Sequence, residues 1–599
     1  MASQPHVPAT GAEIIAQTLK ELNVAVLFGI VGVPISDIAE KAINIGIRFI
    51  GFRNEQAASY AATAYGYLTG RPGVCLVVGG PGVLHAIAGV GNASENNFPL
   101  LLLGGSVETH MVTKGAFQEL DNISLLTPHT KLSIRPPNAE SLPSIIANAY
   151  RCSFYGRPGV GFVDLPADII NDTLEPGLEE YIHRTPHVAD SPKGGSDDQR
   201  LQKIVGLIKA AKAPLVIIGK GAAYARAENI IRGFIDKTDI PFLPSPMGKG
   251  VVPDSHPANV SSARSAALKM ADVVLILGAR LNWIFHYGEA PKWHPDVQFI
   301  QVDISPEEMG RNAADAELSL LGDVNVVVSQ LLLCLGNWKY EPTSSDYVKI
   351  LQVAKQKNEK MSGLAAKDPS FPLTYGRAFD VIKSVLHTLS SPSEGGVCYI
   401  AEGANTMDIS RSIFPLEHPR LRLDAGTYAT MGIGLPYAIA AWEAYNSPNA
   451  QAVSGPARRK KIIAIEGDSA FGFSGLEVET MARMGMDILI FVINNGGIYF
   501  GDSNSADDWK MKQDKTKKNE PGLRSWALGW EVKYQKLAEA CGGLGFLVRT
   551  PEELEKATVA GFTATVPVIV NIIIQSGKVE KATFGWQVAP KTGSKPARL

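Results

Sequence analysis

The sequence predicts an α/β protein of three domains, each a parallel sheet flanked by helices. Three observations lead there. The chain has 599 residues, more than a single hydrophobic core usually organises. Apolar, β-branched runs recur along it, each stopping in glycine or a polar cluster and followed by a helix-like stretch, the pattern of buried parallel strands with helical crossovers. Two polar stretches separate these runs into three groups.

The first group includes Val24 to Ile30, Val74 to Val78 and Leu100 to Leu103. The second includes Leu215 to Ile218, Val273 to Leu277 and Phe299 to Val302, and the third Val397 to Ile400, Ile462 to Ile465, Ile488 to Ile493 and Val568 to Ile574. The stretches Asp190 to Asp198 and Lys355 to Ser370, rich in charge, Pro or Gly, read as linkers. Domain boundaries at 1–190, 191–365 and 366–599 follow. Inside the third domain Gly501 to Arg524 is charged and nearly free of aliphatics, and it reads either as a disordered surface loop or as a lid that orders over substrate.

With 45% hydrophobic and 19% charged residues and a formal net charge of -2, the composition is that of a soluble globular protein and gives no electrostatic case for nucleic acid. A small-molecule ligand is the expectation. No run of 18 apolar residues suggests a membrane span, and the N-terminus lacks a secretory layout. Cys75, Cys152, Cys334, Cys398 and Cys541 lie far apart and read as free thiols in a reducing compartment. The closing Ala597-Arg598-Leu599 repeats the small-basic-leucine pattern of a peroxisomal address, which predicts an import receptor as partner, alongside any cytosolic pool.

The strongest chemistry lies in I-I-A-I-E-G-D-S (Ile462 to Ser469) and I-F-V-I-N-N-G-G (Ile490 to Gly497). Each is a strand ending in oxygen-bearing side chains, and Gly475 to Met484 between them reads as a helix. A right-handed crossover puts both strand ends on one sheet edge. Asp468 and Asn495, 27 residues apart, match the roughly 30 residues of such a unit. A carboxylate, an amide oxygen and a backbone carbonyl at Gly497 leave positions for phosphate oxygens and water, as magnesium prefers. The implied ligand is a diphosphate.

In the first domain, N-E-Q-A-A places Glu55 at the start of an Ala-rich helix after the strand Ile47 to Phe52, where the dipole favours an acid. In the third, A-T-M-G (Ala429 to Gly432) reads as a core methionine, Met431, before a helix.

Together the paired motif resembles the signature of thiamine diphosphate enzymes, a G-D-G element followed by N-N, with Ser469 in place of the last glycine. The resemblance covers essentially the whole chain and implies domains in the order pyrimidine-binding, central and diphosphate-binding, with a decarboxylase-like fold of this family. It implies that Glu55 is the carboxyl group that activates the cofactor's pyrimidine, kept protonated by burial, and that Met431 is the wedge under the bent cofactor. It also implies that the glutamate and the metal site come from different subunits, so the active unit is at least a dimer, or a tetramer.

Longer strings narrow the resemblance. F-G-I-V-G-V-P-I, G-A-F-Q-E-L-D, G-A-R-L-N-W, E-G-A-N-T-M-D-I, R-L-D-A-G-T and E-G-D-S-A-F-G-F-S-G look like the 2-hydroxyacyl-CoA lyase and oxalyl-CoA decarboxylase branch, the fungal peroxisomal members above all. The branch implies a CoA-thioester substrate, formyl-CoA as product, and either an aldehyde or carbon dioxide as the second product. Phe117 and Gln118 stand where bacterial oxalyl-CoA decarboxylases carry a Tyr-Glu pair, which favours the lyase. By the same resemblance, Glu55, Gln118 and Tyr499 are catalytic. Tyr375, Asn405, Thr406, Met407, Ala429, Thr430, Met431, Asp468, Ser469, Ala470, Asn495 and Tyr499 meet the cofactor. Val33, Phe117, Gln118, Arg264 and Arg411 meet the CoA substrate, and Arg157, Lys220, Arg280 and Asp303 bind ADP as an activator. Two alternatives are weighed: an acetohydroxyacid synthase-like, flavin-containing relative, and a noncatalytic binding protein.

Overall fold

The computed structural model of the chain describes residues 8–175, 181, 183–341 and 346–577. Each group of apolar runs forms one parallel sheet. In the first, β1 (Val26–Gly29), β2 (Arg48–Gly51), β3 (Gly73–Val77), β4 (Leu100–Ser106), β5 (Leu132–Ile134) and β6 (Val160–Pro166) lie in the order β2-β1-β3-β4-β6-β5. The central sheet has β7 (Pro214–Ile218), β8 (Phe242–Pro244), β9 (Val273–Leu277), β10 (Gln298–Asp303) and β11 (Ser319–Leu321) in the order β8-β7-β9-β10-β11. The third has β12 (Val397–Glu402), β13 (Arg422–Asp424), β14 (Lys461–Gly467), β15 (Leu489–Asn494), β16 (Leu544–Val548) and β17 (Val568–Ile573) in the order β13-β12-β14-β15-β17-β16. β4, β9 and β15 are buried along their whole lengths, which is why they read as unbroken apolar runs.

The helices that position the site are α1 (Glu55–Thr69), α2 (Pro81–Asn96), α3 (Asp346–Ala366), α4 (Ala404–Ile413), α5 (Gly434–Asn446), α6 (Asp468–Ser474), α7 (Glu477–Arg483) and α8 (Ala506–Lys517). In the third sheet the chain turns back between β12 and β14, so α4 and α6 leave neighbouring strand ends and open a crevice at the carboxyl edge. One core runs through the first and third domains and includes Ala58 and Ala61 of α1, Val90 of α2, Leu435 of α5 and Ile490 of β15. Alanines let α1 lie close to its neighbours. At Gly66 even a Cβ would sit 2.1 Å from the Pro99 carbonyl oxygen.

Two stretches differ from expectation. Lys355 to Ser370 is not an irregular linker, because α3 continues to Ala366. Its Lys, Gln, Glu, Ala and Leu residues favour helix, and Tyr347 and Leu351 anchor its start in the central core. Of the two readings of Gly501 to Arg524, the disordered loop falls, because the stretch carries α8, capped by Ser505. Polar contacts hold α8 where apolar ones are lacking: Trp509 Nε1 donates to the Leu528 carbonyl at 2.9 Å and Lys512 Nζ to the Asp502 carbonyl at 2.6 Å. Asp190 to Asp198 is irregular as expected until a helix starts at Asp198. The five cysteines are free, Cys75 and Cys398 fully buried and the other three half-buried. Among the described residues no helix is long and apolar enough to cross a membrane, and Ala597-Arg598-Leu599 lies outside them.

The Gly66 contact gives a first prediction. Gly66→Ala should destabilise the chain by about 1–3 kcal/mol through overpacking, read as a lowered thermal midpoint in calorimetry; an unchanged midpoint would mean the helix moves freely against Pro99.

Candidate active site

β14 and β15 are parallel neighbours, so Asp468 at the end of one and Asn495 at the end of the other meet at the same edge. The Asp468 carboxylate is 3% exposed. It accepts from the backbone N–H groups of Ser469 at 2.9 Å, Gly496 at 2.9 Å and Gly497 at 3.2 Å. Among the described residues it has no cationic partner, and burial pushes it up to about 7 despite those N–H groups. Asn495 is also buried; its Nδ2 donates to the Tyr499 carbonyl at 2.9 Å, and its Oδ1 accepts from Gly497 N at 3.1 Å. Asn405 on α4 donates to that same carbonyl at 3.0 Å. Tyr499 holds a left-handed backbone at φ 67°, a sparsely populated conformation for a bulky residue.

This corner fits a magnesium ion. A buried carboxylate without a counter-charge is costly, and a hard divalent cation with oxygen ligands would supply the charge. Gly496 and Ile498 make the bridge hydrogen bonds to Leu528 and Trp526, which leaves the Gly497 carbonyl outside the bridge. Position 497 must be glycine, since a Cβ there would lie 2.5 Å from the Trp526 oxygen and 2.8 Å from Gly501 Cα. Beside the corner a cavity of about 330 Å³ is lined by Tyr375, Asn405 and Asn495 with Thr374, Phe500 and Ser576. Tyr375 OH lies 3.5 Å from Asn495 Nδ2, and burial raises its phenol. Thr406, Met407 and Ala470 are buried in the scaffold behind.

The turn that carries Met431 follows β13. Ala429 and Gly432 have φ of 54° and 88°, and the Glu402 carboxylate at the end of β12 accepts from Gly432 N and, at 2.5 Å, from Gly434 N. Thr430 Oγ1 donates to Asn92 Oδ1 on α2 at 3.2 Å. Met431 itself is half-buried rather than a core residue. Glu402 pairs across the ladder with Glu466. Burial raises both carboxyls, Glu402 to about 7, so Glu466 keeps its proton beside its neighbour.

A second cluster forms at the carboxyl edge of the first sheet. Glu55, preceded by the capping Asn54, has a 15% exposed side chain and lies 2.9 Å from His85 Nδ1 on α2. The loop after β4 brings Gln118 onto Gly80 at the start of α2. Gln118 Oε1 is buried and meets no donor, whereas Phe117 is 74% exposed. Glu119 fixes this loop by accepting from the N–H groups of Thr113, Gly115 and Ala116. Val33, on the loop after β1, is exposed. Among the described residues no hydrogen bond within the chain joins Glu55 to Asp468 or Asn495.

A larger cavity, about 650 Å³, opens between the domains and is lined by all four of Arg157, Lys220, Arg280 and Asp303. Lys220 Nζ donates to Asn96 Oδ1 at 3.1 Å and lies 4.7 Å from the Phe98 ring centroid, and burial holds its amine well below the usual lysine range. Burial pushes Asp303 up to about 6. Arg264 donates to the Ile284 carbonyl at 2.6 Å, and its guanidinium is lowered by burial and by the nearby Arg411. Arg411 is partly engaged within the chain. Asp424, at 3.1 Å from its Nε, and Asp408 occupy two of its nitrogens, leaving the buried Nη2 without a partner.

Three family models match in order along the chain: the N-terminal thiamine pyrophosphate-binding domain over residues 9–125, the thiamine pyrophosphate enzyme central domain over 201–331, and the C-terminal thiamine pyrophosphate-binding domain over 402–572. The chain is 44% identical to 2-hydroxyacyl-CoA lyase 1 of Homo sapiens over 98% of either chain. This chain belongs to the thiamine pyrophosphate enzyme family. The 2-hydroxyacyl-CoA lyase of Saccharomyces cerevisiae is 38% identical over 97% of this chain and 99% of its own, and the oxalyl-CoA decarboxylase of Escherichia coli K12 is 37% identical over 95% and 97%. The chain therefore stands in the branch of the thiamine pyrophosphate enzymes that breaks carbon–carbon bonds.

The structure brings Asp468 and Asn495 to one sheet edge and Glu55 against His85 at another, and four groups beside them were missed. His85, Glu402, Glu466 and Asn96 act through partners 30 or more residues away, and no local spacing announces them.

The buried carboxyls set a pH dependence. Asp468, Glu402 and Glu477 are raised to about 7 from ordinary values of 3.8 and 4.5. A raised carboxyl holds its proton more tightly in the folded chain than in the unfolded one, so the stability of the cofactor-free protein falls from about pH 4 to about pH 7 and then levels off. Thermal melting at pH 5, 6, 7 and 8 should show a midpoint that drops and then flattens; a rise across that range would contradict the burial of these groups.

Proposed function

We propose that the chain is a thiamine diphosphate- and magnesium-dependent lyase that cleaves a 2-hydroxyacyl-CoA to formyl-CoA and an aldehyde. The observation that carries this reading is the buried, uncompensated Asp468 beside Asn495, in a chain that resembles lyases along its whole length. The bond between C1 and C2 breaks; C2 leaves as the aldehyde after its hydroxyl gives up a proton, and C1 gains a proton as formyl-CoA. Bound thiamine diphosphate supplies a sink for the electron pair left on C1.

The chain's own residues do the rest. Asp468, Asn495 and the Gly497 carbonyl hold the ion; Tyr375, Asn405, Thr406, Met407, Ser469 and Ala470 line or back the diphosphate; and Ala429, Thr430 and Met431 support the rings. Glu55 reaches the pyrimidine from a second copy of the chain, which makes the working unit a homodimer or a dimer of dimers. Gln118 offers an unpartnered acceptor for a substrate hydroxyl, and Tyr499 orients a proton donor on the opposite side. Val33 and Phe117 give apolar contact to the acyl chain. Arg264 and the spare Nη2 of Arg411 serve the CoA phosphates.

The larger cavity takes ADP: Arg157, Lys220 and Arg280 provide charge for phosphates and Asp303 an acceptor for a ribose hydroxyl. Oxalyl-CoA decarboxylation, which also ends in formyl-CoA, is the second reading, favoured by the similarity to the bacterial decarboxylase.

Purified protein with magnesium and thiamine diphosphate should convert a long-chain 2-hydroxyacyl-CoA to aldehyde and formyl-CoA; carbon dioxide from oxalyl-CoA alone would transfer the assignment to the decarboxylase. In that assay Glu55→Gln should lose at least about 100-fold in rate while still binding cofactor, and Asp468→Ala should fail to retain it. A fully active Glu55→Gln would sink the assignment. We also propose peroxisomal import through Ala597-Arg598-Leu599. Removing those residues should leave a fluorescently tagged protein cytosolic, and unchanged organelle import would refute the address.

A further inference from the structure

The nucleotide cavity and the cofactor turn share a wall. Gly426 and Thr427 line the cavity, and the same turn runs on to Thr430 and Met431. Asn96, the last residue of α2 and fully buried, stands between them. Its Oδ1 accepts from Lys220 Nζ at 3.1 Å and from Thr427 N at 2.9 Å. Its Nδ2 donates to Asn92 Oδ1 at 2.9 Å, and that oxygen also accepts from Thr430 Oγ1 at 3.2 Å. Both contact points on the turn therefore hang on two stacked asparagines. The approach is tight: a Cβ at Gly426 would come within 2.3 Å of Asn96 Oδ1, so the turn packs directly on Asn96.

Lys220 supplies the basic group of this set. Among the described residues it makes no ion pair, and its hydrogen bond goes to a neutral amide that Thr427 N shares. An anion in the cavity is a stronger acceptor for an ammonium than an amide oxygen is. When Lys220 turns to it, Asn96 Oδ1 is left to Thr427 N alone.

We propose that Asn96 is a positioning residue that couples the nucleotide cavity to the Met431 turn, so that a bound nucleoside diphosphate tightens the turn and raises affinity for thiamine diphosphate. The inference rests on the nucleotide reading of the cavity and adds its consequence. Coupling between two binding sites is reciprocal, so the cofactor must raise affinity for the nucleotide by the same factor.

The test uses full-length protein freed of cofactor. Magnesium and thiamine diphosphate are titrated with and without saturating ADP, followed by tryptophan fluorescence, and ADP is titrated with and without cofactor by calorimetry. The wild type should show equal factors of about fivefold or more in both directions. Asn96→Ala should bring both factors to about one. Lys220→Met, which removes only the amine, should do the same at ADP concentrations that saturate its weakened site, and it carries the test if Asn96→Ala does not fold. ADP that binds without changing cofactor affinity, or variants that keep the wild-type factor, would overturn the coupling alone. Absence of ADP binding to the wild type would overturn the nucleotide reading and the coupling with it.

Discussion

A carboxylate buried between two parallel strand ends governs the architecture of the third domain. Asp468 is held by three backbone N–H groups and, among the described residues, by no cation, an arrangement that stabilises the charge only in part. Around it the chain is committed: the loop after β15 packs so close to the Trp526 carbonyl and Gly501 that position 497 has no room for a side chain, and Asn495 and Asn405 both spend their amides on one carbonyl. Polar groups are thus organised in advance of any ion. A site of this kind is cheap to fill because little needs to move when the missing charge arrives.

Much of this was legible in the sequence, for a physical reason. Strands buried on both faces must be apolar throughout, so Ile488 to Ile493 could be read directly. Adjacent parallel strands end on one edge, so the two oxygen-bearing ends could be paired without knowing anything else of the fold. What escaped was held by long-range polar contacts. α8 has no apolar periodicity because none of its side chains is buried, and the lining of the large cavity is assembled from segments as far apart as Tyr67 and Thr427. Met431 was expected in the core and stands half-buried on a turn in which Ala429 and Gly432 take left-handed backbone.

The three sheets divide the labour. The first and third each offer a carboxyl edge with a cluster of acceptors, while the central domain contributes Arg226 and Arg280 to the large cavity between the domains. That space is electrostatically unusual: burial and the nearby Arg280 lower the Lys220 amine, and burial and Arg157 lower the Arg280 guanidinium. His286 next to Arg264 is pushed down to about 4 by burial and by that guanidinium and is therefore neutral near pH 7, so the arginine is not opposed by a second formal charge.

The loop that carries Phe117 has a consequence of a different kind. Glu119 accepts from three of its backbone N–H groups, so the segment is already rigid while its aromatic ring faces solvent. An apolar chain that lands on such a ring does not have to freeze a floppy segment first, an ordering that would remove about 0.5–1.5 kcal/mol for each side chain immobilised. Nearly all of the transfer free energy of the contact then appears as affinity, and each methylene brought against the ring adds its own increment. Selectivity for chain length here would rise smoothly with the number of carbons instead of switching on when a loop closes.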